Sequence, residues 1–348
     1  MTFVRLSEAH IIGTVIAFIL GLFIVPLVIS FSEKQGLMDQ PNERKIHSHP
    51  IPRLGGVSIW FCTVLSFAAL IILSYYPYRS LLSGILLGSS LMFLLGLIDD
   101  IYCLNAKFKF TIQLTIAAIV FFLGVKITSL YIPFFGMWEV PPVLSFFGTL
   151  AWIVGISNAV NFIDGVDGLA GSVITVSSVS LGLLAISLVP SDLVSSLIAF
   201  ILAGSMLGFL TYNFHPAKIF MGDSGALFAG FLLSTLSIMY QMKTFDCKMY
   251  LPLLVLAVPI ADITFSSLRR ILKGTSPFVA DAEHIHHKLL KLGLSQNKAV
   301  LVLVAFSIIM GWLATCIADS DTTKYFVYAV IISTVMIILN RHAKLEGK

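Results

Sequence analysis

Long apolar runs alternate with short polar segments along the whole chain, and the runs predict helices that cross a membrane. Eleven charge-free windows stand out: 11–31, 54–74, 81–98, 110–126, 143–160, 170–189, 194–213, 224–241, 250–268, 299–317 and 324–340. Each is close to the ~20 apolar residues a helix needs to cross the hydrocarbon core. The fourth has the least definite end, because "FFGMWEVPP" follows it without a clean boundary. An odd number of spans puts the two termini on opposite sides. The first run follows Arg5, Glu8 and His10 with no small-residue cleavage site, so 11–31 is expected to be a retained span rather than a signal peptide.

Composition agrees. Of the 348 residues, 57% are hydrophobic and only 11% charged, with a mean hydropathy of +0.96; a soluble protein carries about 25% charged residues. The expected fold class is an all-α polytopic integral membrane protein, one transmembrane domain over 1–348. Sorting the 22 Lys and Arg residues by loop puts sixteen on one side and six on the other when the N-terminus is outside. The positive-inside bias then gives an outside N-terminus and a cytoplasmic C-terminus. Cytoplasmic loops fall at 32–53, 99–109, 160–169, 214–223 and 269–298. The four cysteines show no paired or metal-type spacing and are expected to be small packing side chains.

The polar clusters fall on that same side. "LGLIDDIYCLNAKFKF" places Asp99 and Asp100 one short turn from Lys107 and Lys109. Two carboxylates beside two lysines suit a phosphate and a cation held together at headgroup level, although interfacial charge alone explains them equally well. "NAVNFIDGVDGLAGS" carries Asn158, Asn161, Asp164 and Asp167 among glycines. On a continuous helix Asn161, Asp164 and Asp167 share roughly one face, and the glycines let a ligand approach the backbone. Two carboxylates and an amide are suitable oxygen ligands for Mg²⁺, which takes one or two carboxylates and completes its shell with substrate phosphates and waters. "FMGDSG" sets Asp223 at the start of a span, where a helix N-terminus attracts phosphate; a plain Asp cap is the simpler alternative. Phe220 beside it is either lipid-facing or a platform for a base.

"EHIHHKLLKLGL" carries His284, His286 and His287, with Arg269 and Arg270 upstream. The spacing is not a zinc pattern, and the group suits a sugar diphosphate on an interfacial helix. Asp262 lies inside the ninth run, where an intramembrane acid is a functional candidate and a hydrogen-bonded packing residue is the alternative. The first loop, "MDQPNERKIHSHPIPRLGG", is dense in charge and contributes Asp39, Arg44, Lys45 and His47 as candidate lining residues.

In this order, "DQPNERKIH…PIPRLGG", "GLIDD", "NAVNFIDGVDGLAG", "FMGDSG" and "EHIHHKL" resemble the motifs of the polyprenyl-phosphate N-acetylhexosamine-1-phosphate transferases of glycosyltransferase family 4. "HIHH" is similar to the WecA/TagO-like branch, which starts O-antigen, common-antigen or teichoic acid synthesis. The peptidoglycan branch, phospho-MurNAc-pentapeptide translocase, has three consecutive histidines instead. The resemblance implies ten or eleven spans, a cytoplasmic catalytic face and a place in the bacterial inner membrane. It also implies transfer of a sugar 1-phosphate, most often GlcNAc-1-phosphate, from a UDP-sugar to undecaprenyl phosphate, with release of UMP. By the same resemblance Asp223 and Asn161 hold Mg²⁺ (or Mn²⁺). Asp167 and Phe220 take the nucleoside, Lys107 and Lys109 face phosphate, and the histidines with Arg270 face the sugar diphosphate. Asp99, Asp100 and Asp164 join the histidines as catalytic candidates. A general base at Asp99 or Asp100 is chemically optional, since a phosphate monoester with a second pKa near 6 is already largely dianionic at neutral pH. Expected partners are therefore the nucleotide sugar, the lipid phosphate and membrane lipids, with no nucleic acid and with a homodimer left open. The competing class is a secondary transporter. Its acids would sit near the midplane on broken helices, often in inverted repeats, and no internal repeat stands out here.

Overall fold

A computed structural model describes residues 7–40, 49–73, 80–132, 136–188, 192–243, 250–272, 274 and 284–318. Twelve helices and two small antiparallel sheets are seen among them. In order they are α1 (Glu8–Gln35), β1 (Met38–Asp39), β2 (Ile51–Pro52), α2 (Gly55–Ile72), α3 (Ser80–Tyr102), α4 (Ala106–Phe122), β3 (Ser129–Ile132) and β4 (Gly136–Glu139). There follow α5 (Pro142–Ile163), α6 (Leu169–Ile186), α7 (Leu193–Asn213), α8 (Gly222–Lys243), α9 (Tyr250–Val255), α10 (Ala257–Leu272), α11 (Ile285–Lys291) and α12 (Gln296–Ala318).

Eight of these helices are long and apolar enough to cross a membrane: α1, α2, α3, α5, α6, α7, α8 and α12. The chain is thus a multi-pass membrane protein. α1 shows how the pattern is used. Ile11, Val15, Ile19, Phe23, Leu27 and Phe31 lie exposed at four-residue intervals, while Gly13, Ala17, Gly21 and Val25 are buried on the other side. Large side chains meet lipid and small ones let helices approach, the usual division inside a bilayer. The small face of α1 packs on α7 and α2.

The centre of the bundle is α6, every residue of which is buried, flanked by α7, α12 and α8. Several hydroxyls of this buried helix are satisfied by its own backbone. Ser172, Thr175 and Ser180 donate to the carbonyls of Gly168, Gly171 and Val176 at 2.6, 2.7 and 2.8 Å.

Two expected spans look different. The fourth, expected at 110–126, is α4 at 106–122, shifted toward the lysines because Asn105 caps the helix by accepting from the Lys107 N–H at 2.9 Å. Beyond α4, β3 and β4 pair antiparallel, with Ser129 opposite Glu139 and Ile132 opposite Gly136. The ninth, expected as one helix, is interrupted at Leu256 into α9 and α10. Pro259 lacks the N–H that would have bonded to the Val255 carbonyl, which breaks the helical ladder there. The eleventh, at 324–340, lies outside the described residues.

Candidate active site

The sequence places two acids at the end of α3, and the fold uses the second as the cap of another helix. The Asp100 side chain is fully inaccessible. Its Oδ1 accepts from the Asp223 N–H at 2.9 Å and from an Arg53 Nη at 3.0 Å. Its Oδ2 accepts from the Ser224 N–H at 3.0 Å and the Ser224 hydroxyl at 2.7 Å. One carboxylate therefore satisfies the first amides of α8, which otherwise have no partner in the helix. The approach is close: a Cβ on Gly96 would lie 2.4 Å from the Asp223 carbonyl. "PIPRLGG" and "FMGDSG" also pair directly, the Phe220 N–H donating to Pro52 at 2.7 Å and the Gly55 and Gly56 N–H groups to Phe220 and Met221 at 2.9 and 2.8 Å.

Gly222 has φ +71°, and a Cβ there would fall 2.4 Å from the Arg53 carbonyl and 2.6 Å from Asp100 Oδ2. Gly222→Ala combines a left-handed backbone with an overlap against a buried anion. It is expected to lower the thermal midpoint by the equivalent of about 2–3 kcal/mol, measurable in detergent without any substrate.

Asp99 turns the other way. Its Oδ1 accepts from the Leu104 N–H at 2.7 Å and its Oδ2 from Lys109 Nζ at 2.8 Å. The same ammonium is hydrogen-bonded to Asp223 Oδ2. Lys109 thus bridges an acid of α3 and an acid of α8, whereas Lys107 is exposed.

α5 ends at Ile163, and residues 164–168 form a turn instead of the continuous helix considered from sequence, with glycines at 165 and 168 breaking it. Gly168, at φ +73°, starts α6 and donates to Asn213 Oδ1 at 3.1 Å. Asn161, Asp164 and Asp167 still share one destination. They line a cavity of about 750 Å³ together with Asp39, Arg53, His215, Lys218, Phe220, Asp223 and His287. Asp167 Oδ2 is held by His215 Nδ1 at 2.8 Å and the Ala217 N–H at 3.1 Å.

The electrostatics of this cavity are one-sided. Burial, then Asp223, Asp100 and Asp167, push the Asp164 carboxyl well above its ordinary value, with the Gly222 N–H opposing. Burial works against the Arg53 charge, but Asp100, and then Asp39 and Asp223, outweigh it and hold the guanidinium above its usual value. A carboxylate crowded by three other acids until it resists ionising, with an ammonium drawn between Asp99 and Asp223, makes a place that favours a cation. Among the described residues no three His, Cys, Asp or Glu side chains form a ready cage. A Mg²⁺ held by one or two carboxylates, with phosphates and waters, does not need one.

Comparison with known proteins decides the family. The model of glycosyl transferase family 4 matches residues 82–241. A Bacillus subtilis protein named probable undecaprenyl-phosphate N-acetylglucosaminyl 1-phosphate transferase is 37% identical over 85% of this chain and 82% of its own. The chain belongs to glycosyl transferase family 4. Two further proteins are similar at 31% identity. One is the decaprenyl-phosphate N-acetylglucosaminephosphotransferase of Mycolicibacterium smegmatis, matched over 97% of this chain and 89% of its own. The other is the undecaprenyl-phosphate alpha-N-acetylglucosaminyl 1-phosphate transferase of Escherichia coli K12, over 80% and 76%.

In this family 4 transferase the candidate residues separate into layers. Asp39, Asn161, Asp164, Asp167, Phe220, Asp223 and His287 line the cavity. Asp99, Asp100 and Lys109 brace it from the side of α3 and α4. His284 and His286 stand behind His287 on α11, their rings 5.7 Å apart and stacked at 10°. Burial, then the charge of His287, lowers His286 to about 4, so that ring is neutral at physiological pH. Arg270, buried on α10, donates to Ser266 at 3.1 Å.

Of the expected substrate contacts, Lys107, Lys109, Arg270, Asn158 and Asp262 do not line the cavity. Asn158 Nδ2 bonds Gln113 Oε1 and the Val154 carbonyl, both at 2.8 Å, one turn deeper than Asn161 and off the cavity wall. It joins α4 to α5, because an amide inside a bundle takes the nearest complementary amide. Asp262 is bonded to His284 and Ile285 and does not line the cavity. Arg44, Lys45 and His47 lie outside the described residues.

Arg53, Asn213, His215 and Lys218 were not singled out from sequence. Arg53 sits inside the quoted "PIPRLGG", and the other three inside "YNFHPAKIF". The usable signal was a full cation between two prolines and a glycine pair in a chain that avoids charge.

Proposed function

We propose that this chain transfers N-acetylglucosamine 1-phosphate from UDP-GlcNAc to undecaprenyl phosphate, releasing UMP, on the cytoplasmic side of the bacterial inner membrane. The observation that carries this reading is the convergence of Asp39, Asp164, Asp167 and Asp223 on a single cavity beside the histidine helix, with Asp99 and Asp100 of α3 bracing Asp223 from behind. The names of the related transferases share N-acetylglucosamine and a polyprenyl phosphate, which supports the choice of sugar and acceptor class. The step is the first membrane reaction of an envelope polymer.

An oxygen of the lipid phosphate forms a bond to the β-phosphorus, the bond from that phosphorus to the bridging oxygen breaks, and the electron pair leaves on UMP. Such a reaction is governed by alignment and by stabilising charge. Asp223, Asn161 and Asp164 would hold Mg²⁺, which when bound neutralises the diphosphate. Asp167 and Phe220 take the nucleoside end, with His215 holding Asp167 in place. Lys109 offers its ammonium to the acceptor phosphate. Both oxygens of Asp99 are already engaged, by Lys109 and by the Leu104 N–H, which supports an orienting role for Asp99 over proton abstraction.

Purified protein given undecaprenyl phosphate, Mg²⁺ and a panel of UDP-sugars is expected to release UMP and form a lipid-linked product with UDP-GlcNAc. Silence with every UDP-N-acetylhexosamine, together with solute flux in vesicles, would replace this reading with a transporter.

A further inference from the structure

We propose that Asp262 is a positioning residue that acts on the transfer reaction through His284, without touching donor or acceptor. The inference rests on the proposed transferase reading.

α10 buries Asp262, Ser266 and Arg270 at four-residue intervals, which puts a buried polar stripe along one face of the helix. Asp262 is only 2% exposed, and a carboxylate so enclosed needs partners for both oxygens. They are divided. Oδ1 accepts from the Ile285 N–H at 2.7 Å, which fixes the start of α11. Oδ2 meets His284 Nδ1, also at 2.7 Å. An ionised carboxylate only accepts, so the ring proton must reside on Nδ1. In the neutral ring Nε2 is then left as the acceptor.

From His284 a train of rings runs to the cavity. His284 lies 5.7 Å from Phe162 at the end of α5 and 5.7 Å from His286. His286 lies 4.2 Å from His287, which lines the cavity. The His286 Nε2 is buried with no hydrogen-bond partner among the described residues and sits 3.0 Å from where a Cβ on Gly165 would be, against the aspartate turn itself. Asp262 is on the far side of this train. Its influence on the cavity therefore passes through the ring it orients and the helix it starts.

Those two jobs can be separated, because they belong to different oxygens. Asp262→Asn keeps the Oδ1 acceptor for Ile285 but turns an NH₂ toward His284, forcing the neutral ring to carry its proton on Nε2. Asp262→Ala removes both. Expected for Asp262→Asn are an unchanged thermal midpoint, a KM for UDP-GlcNAc within ~3-fold, and a kcat lower by ~10-fold or more. A wrong tautomer held by an amide in place of a carboxylate costs about 10⁴ in the serine-protease triad. Because the effect passes through His284, the double variant Asp262→Asn/His284→Gln is expected to be no slower than His284→Gln alone.

Wild-type kcat in Asp262→Asn, with only Asp262→Ala impaired, would reduce Asp262 to a helix cap and overturn the proposal. A double variant slower than His284→Gln by the full single-variant factor would overturn it too. The ¹⁵N spectrum of histidine-labelled wild type in nanodiscs needs neither turnover nor a stable variant. It is expected to show His284 protonated on Nδ1, and a bare Nδ1 sinks the proposal. Absence of turnover in the wild type with UDP-GlcNAc would instead count against the transferase reading, leaving the spectrum to decide on Asp262.

Discussion

Asp100→Asn is expected to destabilise the protein by about 3–5 kcal/mol and to abolish transfer with it, the loss typical of a buried charge network deprived of one member. The carboxylate serves four donors: two amides and a hydroxyl at the start of α8, and Arg53. An asparagine has one oxygen for them and turns an NH₂ toward the rest. At least one buried donor is then left without an acceptor, at about 1–3 kcal/mol each. Arg53 loses its nearest counter-charge, and the Asp223 carboxylate loses the register that aims it at the cavity. Thermal unfolding in detergent and UMP release should fall together. A variant with the wild-type midpoint and no activity would mean that Asp100 faces substrate and that α8 is held by something else.

Asp164→Asn is expected to do the opposite to stability. Burial and three neighbouring acids raise the Asp164 carboxyl well above its reference of 3.8, so the folded protein holds a proton there after the unfolded chain has lost it. Stability therefore falls as pH rises from about 4 through the folded-state value, because the fold disfavours the ionised carboxylate. Asparagine removes that charge. The metal-free variant should melt at a higher temperature than wild type at pH 7, with a flatter dependence of the midpoint on pH. Its activity should nevertheless drop by ~10²–10³-fold, the range for losing one group that stabilises developing charge. Added Mg²⁺ should raise the wild-type midpoint more than that of the variant, because crowded carboxylates gain most from a cation. A variant less stable than wild type in EDTA at pH 7 would contradict the idea that this cavity stores repulsion for a cation to relieve.

These two acids mark the boundary between a local pattern and a long-range one. Whether a stretch such as 170–189 crosses a bilayer depends on its own transfer free energy, and so the apolar windows forecast α1, α2, α3, α5, α6, α7, α8 and α12 closely. The aspartate and histidine motifs were equally readable, since charge inside a greasy chain needs a reason wherever it stands. Their partners were not. Asp100 meets Ser224 across 124 positions and Arg53 across 47, and nothing in either neighbourhood names the other. Asp100 and Asp99 look alike as adjacent acids, but successive helix positions point about 100° apart, so one caps α8 while its neighbour holds Lys109. Asp262 and Asn158 likewise carried a functional look in the sequence and lost the cavity to His284 and Gln113. A buried polar atom bonds to whatever complementary group packing brings within about 3 Å, and only the folded bundle sets that distance.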